Sequence, residues 1–488
     1  MQCLHRQLLM RCGQKEALLF KNRNDKFDQI IVEKGTESMK MKNYSFYKNF
    51  FSLYMALVLQ NVITLSVNLI DNVMLGVYSE TALSGAAAVN QIQFVFQQIL
   101  SGFGDGVVIL CSQYWGRKQT EAMKRISSVA MYAGITVSVL LFILVSLFPY
   151  QAVGIFTTDQ RIIQEGIKYL QVIRFTYVIF AITQILLATL RSAETVKIAF
   201  RLSFLTFFVN GIINYLLIFG HFGMPELGIQ GAAVGTLTSR ILEITVLVVY
   251  IWKNEYKLKI RFKDYRKLDK GLCKDYFRVT APMVFTQGLW GVNTALQMVI
   301  LGHMTAVAIA ANSAASMLFL LVKSISVGSA SAASVIIGKT IGTGNYNLAK
   351  IYSKRLQKLF VGIGILSAAL LFFLRSPFLS LYDLQPETME MTNIFLLLFC
   401  VIVLGMSYQM PTNNGIIRGG GNTMFVVKMD LISIWMIVIP MSFVMAFVIK
   451  ASPVVVFGCL NADQIFKCVP AFLEVNYGNW IRKLTKDN

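Results

Sequence analysis

The stretch Leu69-Ile-Asp-Asn-Val-Met-Leu-Gly76 places one acid, Asp71, inside an apolar run that begins near Phe50. An ionisable side chain in a membrane-spanning segment is costly, and acids that persist there usually belong to an ion or substrate pathway. Asp71 could instead cap a helix end or meet water at the membrane interface. The rest of the chain must show whether this run crosses a membrane and whether other polar groups join Asp71.

The composition is that of a membrane protein. Of 488 residues, 55% are hydrophobic and 14% are charged, and the mean hydropathy is +0.59. Soluble chains are about a quarter charged. Long apolar runs recur near the roughly 20 residues needed to cross a bilayer, and the short alternating strands of a membrane barrel are absent. We therefore predict an all-α integral membrane protein whose first partner is the lipid bilayer.

Apolar runs of sufficient length predict twelve transmembrane helices. The predicted spans are 50–75, 85–112, 127–148, 163–189, 199–220, 229–252, 277–301, 308–337, 356–374, 391–416, 429–449 and 454–471. The last has the weakest pattern, because Asn461, Asp463 and Gln464 interrupt it.

The distribution of basic residues orients these spans. The net charge of +20 could indicate nucleic acid binding, but Lys and Arg cluster in alternate loops. The loops and tails on the same side of the membrane as the N-terminus, with the first few residues of the adjoining spans, carry 37 Lys and Arg. The loops on the opposite side carry 3. Cytoplasmic loops hold such an excess. We expect a multi-pass plasma-membrane protein with both termini cytoplasmic and no nucleic acid partner.

Two further features point away from secretion and from metal binding. Residues 1–47 are rich in Lys and Arg and lack an apolar run of signal-peptide length. They predict a cytoplasmic, partly disordered segment in which Met39 or Met41 would be plausible alternative starts. The seven cysteines show no CxxC or metal-like spacing and predict free thiols rather than disulfides or a zinc site.

The chain contains an internal repeat. The longest basic loop, 253–278, leaves six spans on either side. One constant shift sets Gly76 over Gly302 and Gly116 over Gly342, and a shift one position longer sets Ala188-Thr-Leu-Arg-Ser192 over Gly415-Ile-Ile-Arg-Gly419. Because an even number of spans separates the copies, both halves insert with the same orientation.

We therefore predict two parallel six-helix lobes related by an axis along the membrane normal, as in many secondary transporters. The predicted parts are a cytoplasmic N-terminal segment (1–47), an N-lobe (48–252), a basic cytoplasmic linker (253–276), a C-lobe (277–475) and a cytoplasmic tail (476–488).

Several short motifs, in this order along the chain, resemble the multidrug and toxic compound extrusion (MATE) transporter family. They are Ile70–Gly76, Ser112-Gln-Tyr-Trp-Gly116, Leu190-Arg-Ser-Ala-Glu-Thr195, Asn210-Gly-Ile-Ile-Asn214, Arg418-Gly-Gly-Gly-Asn-Thr423 and Trp480–Thr485. The resemblance covers about residues 45–486 and rests on the order and spacing of the motifs across twelve spans.

The resemblance implies cation-coupled export of drugs and other organic, often cationic, compounds by a V-shaped transporter with two lobes. It also implies that the acid of the first span and a polar pair of the fifth bind Na⁺ or H⁺ inside the N-lobe. At the matching positions this chain has Asp71, Asn210 and Asn214.

The residues support this grouping independently. Asn210 and Asn214 are four residues apart and share one helix face, and their span runs in the same direction as that of Asp71, so all three reach a similar depth. A carboxylate with amide and carbonyl oxygens suits Na⁺ as a metal ligand set, whereas the same carboxylate, desolvated, could carry H⁺. The alternative is that the Asn pair only clamps two helices by hydrogen bonds.

The C-lobe departs from the family pattern. Some family members also use acids in the seventh and tenth spans, but spans 277–301 and 391–416 contain neither Asp nor Glu. The candidate cavity-lining residues near those positions are Gln287, Trp290 and Ser407. The repeat position of Asp71 is Gln297. A carboxylate cation site is therefore expected in the N-lobe alone.

Other charges within spans leave alternatives open. Asp105, on the glycine-rich second span, is a further candidate for the cavity. Arg240 and Glu243 are three residues apart and predict an ion pair. Lys323 has no obvious acidic partner in its lobe; it either lines the C-lobe cavity and disfavours cationic substrates locally, or extends its amine to the membrane surface.

These observations predict a monomeric secondary active antiporter rather than an enzyme, with a small organic substrate, no cofactor, and Na⁺ or H⁺ as coupling ion. The three histidines lie in unrelated segments, and the chain has no GxxxxGK[ST] phosphate loop. The alternative is a flippase for a lipid-linked precursor, which would need a strongly cationic cavity.

Overall fold

The computed structural model describes residues 45–254, 257–258, 264–265, 269–380 and 385–485. Regular structure in these residues is helical, apart from one isolated β-bridge between Gly421 and Ile481. The chain divides into two compact units, residues 1–52, described from residue 45 as the start of the first helix, and Leu53–Asn488. Every side chain discussed below belongs to the second unit.

The helices follow the predicted spans closely. In chain order they are α1 (Ser45–Tyr78), α2 (Glu80–Gly116), α3 (Thr120–Leu147), α4 (Pro149–Gly154), α5 (Gln160–Ile173), α6 (Thr176–Ser192), α7 (Lys197–Phe219), α8 (Ile229–Asn254), α9 (Lys270–Gly302), α10 (Ala306–Gly342), α11 (Tyr346–Leu379), α12 (Pro386–Pro411), α13 (Thr423–Asp430), α14 (Ile439–Phe443), α15 (Pro453–Leu460), α16 (Asp463–Phe466) and α17 (Cys468–Tyr477). Turns of π-helix at Thr412–Ile417, Leu431–Val438 and Val444–Val448 continue the tenth and eleventh spans.

The membrane class is confirmed. Among the described residues, ten helices are long and apolar enough to cross a bilayer, and α5 with α6 makes an eleventh if the bent pair is one span. The remaining predicted span is α9, which has 33 residues, or about 50 Å. Polar side chains such as Gln287, Asn293 and Gln297 lower its hydropathy.

Large apolar side chains stay exposed on many helices. Leu140, Leu366 and Met436 are 61%, 72% and 74% exposed. Apolar surface of this extent is unfavourable in water. In a bilayer the lipid chains cover it, and the backbone hydrogen bonds are formed within each helix. The outward faces therefore agree with a bilayer environment.

The fourth span is bent where the sequence predicts one continuous helix over 163–189. The axes of α5 and α6 differ by 53°. At the break, Arg174 Nη1 donates a hydrogen bond to Ser146 Oγ at 3.0 Å and the guanidinium lies 5.6 Å from the Phe142 ring centroid. The bend lets this charged side chain reach partners on α3.

The seventh span begins at Lys270, seven residues before the predicted start. The Asp269 carboxylate accepts hydrogen bonds from the backbone N–H groups of Gly271 (2.8 Å) and Leu272 (3.1 Å), which caps the helix. The N–H groups of Leu272 and Gly271, and then Arg125, hold the pKa of Asp269 below its usual range. At the other end of the C-lobe, α17 continues to Tyr477.

Backbone features recur at equivalent positions, which confirms the two related halves. Ser79 caps α2, and Thr305, at the equivalent position of the second half, caps α10 in the same way. Positive φ angles also recur, at Lys118 with Gly344, Glu194 with Gly421, and Phe222 with Lys450. The two lobes meet mainly where α2 packs against α9 and α10.

Candidate functional site

Asp71 lies in the second half of α1, seven residues before its end at Tyr78. That separation is about 10 Å along the helix axis, so the carboxyl group lies within the membrane-spanning part of the helix. Its side chain is half-buried. An acid at this depth needs polar partners, and α7 supplies them.

Asn214 connects the three predicted residues. Its Nδ2 donates hydrogen bonds to Asp71 Oδ1 at 2.6 Å and to Asn210 Oδ1 at 3.4 Å. Asn210 and Asn214 are 2% and 0% exposed, so the α7 face that carries them is turned into the lobe. The structure thus brings Asp71, Asn210 and Asn214 into one hydrogen-bonded group, which we call the N-lobe triad.

Two further polar side chains adjoin the N-lobe triad and were missed in the sequence. Asn210 Nδ2 donates to Thr236 Oγ1 on α8 at 3.4 Å. Tyr169 on α5 is buried, hydrogen-bonds with Thr236, and lies close enough to Asp71 to interact with its charge. Thr and Tyr are common on spans, so neither carries a local sequence signal.

The orientation of the Asn214 amide limits the chemistry of the N-lobe triad. Its oxygen is buried, has no hydrogen-bond partner among the described residues, and faces α8 at Gly235, where a Cβ would overlap it. The N–H groups are thereby turned towards Asp71 and Asn210. The Asp71 carboxylate is thereby held as a hydrogen-bond acceptor.

Arg240 and Glu243 form the predicted ion pair. Arg240 Nη1 lies 2.7 Å from Glu243 Oε2, and the guanidinium stacks 4.9 Å from the Phe180 ring centroid. Glu243 is buried. Arg240 is thus paired with Glu243, and its interaction with Asp71 is a longer-range electrostatic one.

A multi-carboxylate metal centre is not found in the described part of the chain. No three His, Cys, Asp or Glu residues there lie together in a way that could hold a metal ion. The N-lobe triad has one carboxylate and two amides. It can therefore bind at most a singly charged cation without leaving net positive charge in the membrane.

The C-lobe holds a buried ionic group that was not predicted. Lys467 Nζ lies 2.9 Å from both Asp430 Oδ1 and Asp463 Oδ2, and Arg418 Nη2 lies 3.5 Å from Asp430 Oδ2. We call these four residues the C-lobe charge cluster. Its two cations and two acids cancel, which leaves no carboxylate uncompensated.

Lys323 lies beside this cluster. Its Nζ is 4.3 Å from the ring centroid of Trp290, and Asp463 is the acid whose charge acts on it. Among the described residues Lys323 forms no ion pair, because Asp463, the acid whose charge reaches it, is paired with Lys467. Gln287 lies one turn before Trp290 on α9 and is half-buried.

Ser407 and Gln297 both take part in helix packing. Ser407 is buried, with its hydroxyl oxygen 2.9 Å from that of Ser326 on α10. Gln297, the repeat counterpart of Asp71, donates to the carbonyl oxygen of Leu460 at 3.3 Å. The position equivalent to Asp71 therefore links two helices of the C-lobe.

Asp105 lies near the contact between the lobes. The flanking Gly106 approaches Thr280 of α9 so closely that a Cβ would overlap the Thr280 hydroxyl. Two arginines act electrostatically on Asp105, Arg191 from the N-lobe and Arg418 from the C-lobe. These arginines occupy equivalent positions in the two halves of the repeat.

A pocket of about 780 Å³ opens at the end of α1, two helical turns beyond Asp71. Its charged lining residues are Arg161, Glu165, Lys168 and Glu226. The pocket brings polar, solvent-accessible surface towards the N-lobe triad from the face that the basic residues predict to be outside.

Comparisons with known proteins agree with this architecture. The model of the family MatE matches residues 56–216 and 282–444, one match in each half. The chain is 27% identical over 440 residues to a probable multidrug resistance protein NorM of Thermotoga maritima, covering 87% of this chain and 91% of that protein. It is 24% identical over 432 residues to the probable multidrug resistance protein YoeA of Bacillus subtilis, covering 84% and 89%.

Solved structures share the fold. The eukaryotic MATE transporter AtDTX14 superposes with a TM-score of 0.77 at 19% identity, over 90% of this chain and 97% of that chain. The Vibrio cholerae MATE transporter VcmN in the bent form gives 0.79 at 16% identity, over 89% and 97%.

Proposed function

The chain belongs to the MatE family of membrane transporters, and we propose that it is a secondary active antiporter that exports organic, cationic compounds. The proposed cycle is alternating access driven by an inward-moving cation. Relatives named as probable multidrug resistance proteins support a drug-like substrate. The aromatic pair Phe94 of α2 and Trp290 of α9, with ring centroids 5.9 Å apart, offers apolar surface for the flat parts of such molecules. Their charged group would bind away from Trp290, because the Lys323 amine lies 4.3 Å from the centroid of that ring.

The observation that carries the coupling proposal is the 2.6 Å hydrogen bond from Asn214 to Asp71. A hydrogen bond to a charged carboxylate is about twice as strong as a neutral one. A cation that neutralises Asp71 therefore weakens the link between α1 and α7 and favours a second packing of these helices. Exchange of one inward cation for one singly charged organic cation moves no net charge, so the concentration gradient of the coupling ion drives export. A tenfold gradient, about 1.4 kcal/mol, is enough for roughly tenfold substrate accumulation.

Two observations support H⁺ as the coupling ion and the N-lobe as its site. The Asn214 N–H group faces Asp71, whereas Na⁺ would need an amide oxygen turned towards it. The acids of the C-lobe charge cluster are already paired with Lys467 and Arg418.

The flippase alternative has less support. A lipid-linked phosphate would need uncompensated positive charge inside the membrane. Arg240 is paired with Glu243, and Lys467 is shared by two acids. Lys323, which forms no ion pair among the described residues and lies over the Trp290 ring, is a single positive charge, whereas this alternative needs a strongly cationic cavity. The excess of Lys and Arg on one side supports a plasma-membrane protein with both termini cytoplasmic, and we propose that it works as a monomer.

The test is uptake of a fluorescent organic cation into everted membrane vesicles, with H⁺ and Na⁺ gradients imposed separately. We expect uptake driven by a pH gradient in the unmodified protein and its loss in Asp71→Asn, because the variant has no titratable carboxyl group. Asp159→Asn is the matched control, since Asp159 is a partly exposed cap of α5 and Asn caps equally well. Full pH-driven uptake by Asp71→Asn would exclude the coupling role, and uptake driven by Na⁺ alone would replace H⁺ with Na⁺.

A further inference from the structure

The lobes meet at repeat-equivalent positions near the ends of α2 and α10. A Cβ at Gly116 would overlap the Lys339 carbonyl oxygen, and a Cβ at Gly342 would overlap the Gln113 carbonyl oxygen. Gln113 and Lys339 are counterparts in the repeat, and so are the two glycines. The contact is therefore isologous, as at the two-fold axis of a dimer. We call Gln113–Gly116 with Lys339–Gly342 the lobe seam.

One half of the lobe seam is closed by an ion pair between the lobes. Lys339 Nζ of the C-lobe lies 2.7 Å from Glu194 Oε2 of the N-lobe. Trp115 Nε1 also donates to Glu194 Oε2, at 3.4 Å. Glu194 and Trp115 both belong to the motifs quoted in the sequence analysis, Leu190–Thr195 and Ser112–Gly116.

At the equivalent positions of the other half of the lobe seam, the described residues do not form such a pair. The repeat counterpart of Lys339 is Gln113, and the counterpart of Glu194 is Gly421, which has no side chain. The C-terminal residues fill the gap: Gln113 Nε2 donates to the Arg482 carbonyl oxygen at 3.1 Å, and Gln113 Oε1 accepts from the Leu484 N–H at 2.9 Å. Gln113 is fully buried, so both of these hydrogen bonds are formed away from water.

The C-terminal residues are themselves fixed to the C-lobe. The Arg482 N–H donates to the Gly420 carbonyl oxygen at 2.7 Å. Trp480 is 1% exposed, and its indole N–H donates to the Val475 carbonyl oxygen at 2.8 Å. This segment is therefore part of the C-lobe, and its hydrogen bonds to Gln113 cross to the N-lobe.

We propose that residues Trp480–Thr485 form a strap that holds the two lobes together at the lobe seam and must release Gln113 before they separate there. The strap takes the place of the side-chain ion pair that the repeat lacks on this side. Its bonds are two neutral hydrogen bonds, which water replaces when the seam opens, so the strap can be released and bound again in each cycle. Its role in transport rests on the proposed alternating access, whereas its role in holding the lobes does not.

The test is the distance between nitroxide spin labels at Glu121→Cys and Asn347→Cys, measured by pulsed electron paramagnetic resonance. These exposed positions are repeat counterparts that follow α2 and α10. The labels are placed in a background in which the seven native cysteines are replaced and which unfolds at the same temperature as the unmodified protein. We expect Gln113→Leu to raise the ratio of separated to closed lobes about tenfold, because both strap hydrogen bonds are lost.

The matched control is Gln357→Leu. Gln357 is also buried, and its side-chain oxygen accepts two hydrogen bonds, from Tyr408 (2.8 Å) and Asn476 (3.1 Å), both within the C-lobe. The Gln357→Leu variant should leave the distance between the spin labels unchanged even if it lowers the stability of the protein. Lys339→Met, which breaks the other half of the seam, should lengthen the distance as Gln113→Leu does. An unchanged distance in Gln113→Leu, or the same change in Gln357→Leu, would overturn the strap. Because the distance is read without substrate, a failure of drug export would not affect this result.

Discussion

Asn214 uses both amide protons inside the membrane, one for Asp71 and one for Asn210. Its oxygen is left without a partner against α8, which is a costly arrangement for a buried amide. The two donated hydrogen bonds join α1 to α7 through Asn214, and the proposed coupling requires that this link respond to the charge of Asp71.

Replacing Asn214 tests this role directly. Asn214→Leu keeps the approximate volume but removes the donor to Asp71, so we expect pH-driven substrate uptake to fall about tenfold or more, as for the loss of a hydrogen bond to a charged group. The control is Asn72→Leu, because Asn72 is exposed beside Asp71 and belongs to no described part of the N-lobe triad. Equal uptake by the two variants at matched expression would argue against the role of Asn214.

Gly235 provides a second test that leaves every polar group in place. A Cβ at this position would overlap Asn214 Oδ1, so Gly235→Ala must displace the amide or move α8. Overpacking of this kind costs about 1–3 kcal/mol, and we expect coupled uptake to fall about tenfold. Gly211→Ala on α7 is the control, since its added methyl would meet nothing within 4 Å. Comparable losses in both variants would indicate a general effect of alanine on the lobe.

All three members of the N-lobe triad were predictable from the sequence. Asp71 stands out as the acid of an apolar run, and the spacing of Asn210 and Asn214 puts them on one helix face. Thr236 and Gly235 could not be predicted, because their proximity depends on how α8 packs against α7. Side chains that matter only by contact leave no pattern in one sequence.

At the scale of elements, the C-lobe charge cluster joins the eleventh and twelfth spans. Lys467 is 3% exposed and lies between Asp430 and Asp463. Lys467→Met leaves two acids without their shared cation, so we expect the free energy of unfolding to fall by about 3–5 kcal/mol. The measurement is thermal unfolding in detergent, with Lys450→Met at an exposed C-lobe position as control.

A second substitution separates charge from packing in the same cluster. Adding Asp463→Asn to Lys467→Met removes the acid that has lost its cation, since Asp430 keeps Arg418 at 3.5 Å, and we expect it to recover part of the lost stability. If the double variant were less stable than Lys467→Met, the cluster would contribute through side-chain packing and not through its charges.

The C-lobe charge cluster could not be predicted from the sequence, because its members lie on different helices. Asp463 and Lys467 are four residues apart, which is a usable signal of an ion pair, yet the polar residues around them made the last span look weak. The interruptions are real, since α15, α16 and α17 are separate helices. Their polar groups face Asp430, which lies 37 residues away in sequence from Lys467. The contact at the bend of the fourth span is equally hidden in the sequence, because Arg174 meets its partner Ser146 on another helix.

The two halves of the molecule share backbone features but differ in their polar and charged side chains. Caps and positive φ angles recur at equivalent positions, whereas Asp71 is matched by Gln297 and Glu194 by Gly421. The repeat was predictable from aligned motifs. The contact between the equivalent helices α2 and α10 could be seen only in the structure. The same is true of the different bonds on its two sides.

The symmetry of the lobe seam makes a prediction about two glycines. Gly116→Ala and Gly342→Ala each place a methyl group where a backbone carbonyl of the opposite lobe lies, so each must push the lobes apart by a similar amount. We expect both to lengthen the spin-label distance between positions 121 and 347 and to do so about equally. Gly362→Ala, on α11 with nothing within 4 Å of the added methyl, should leave the distance unchanged. A large effect from one glycine and none from the other would mean that the two-fold contact does not bear equally on both helices. The seam would then act as a one-sided hinge, and the strap and the ion pair would have different roles in separating the lobes.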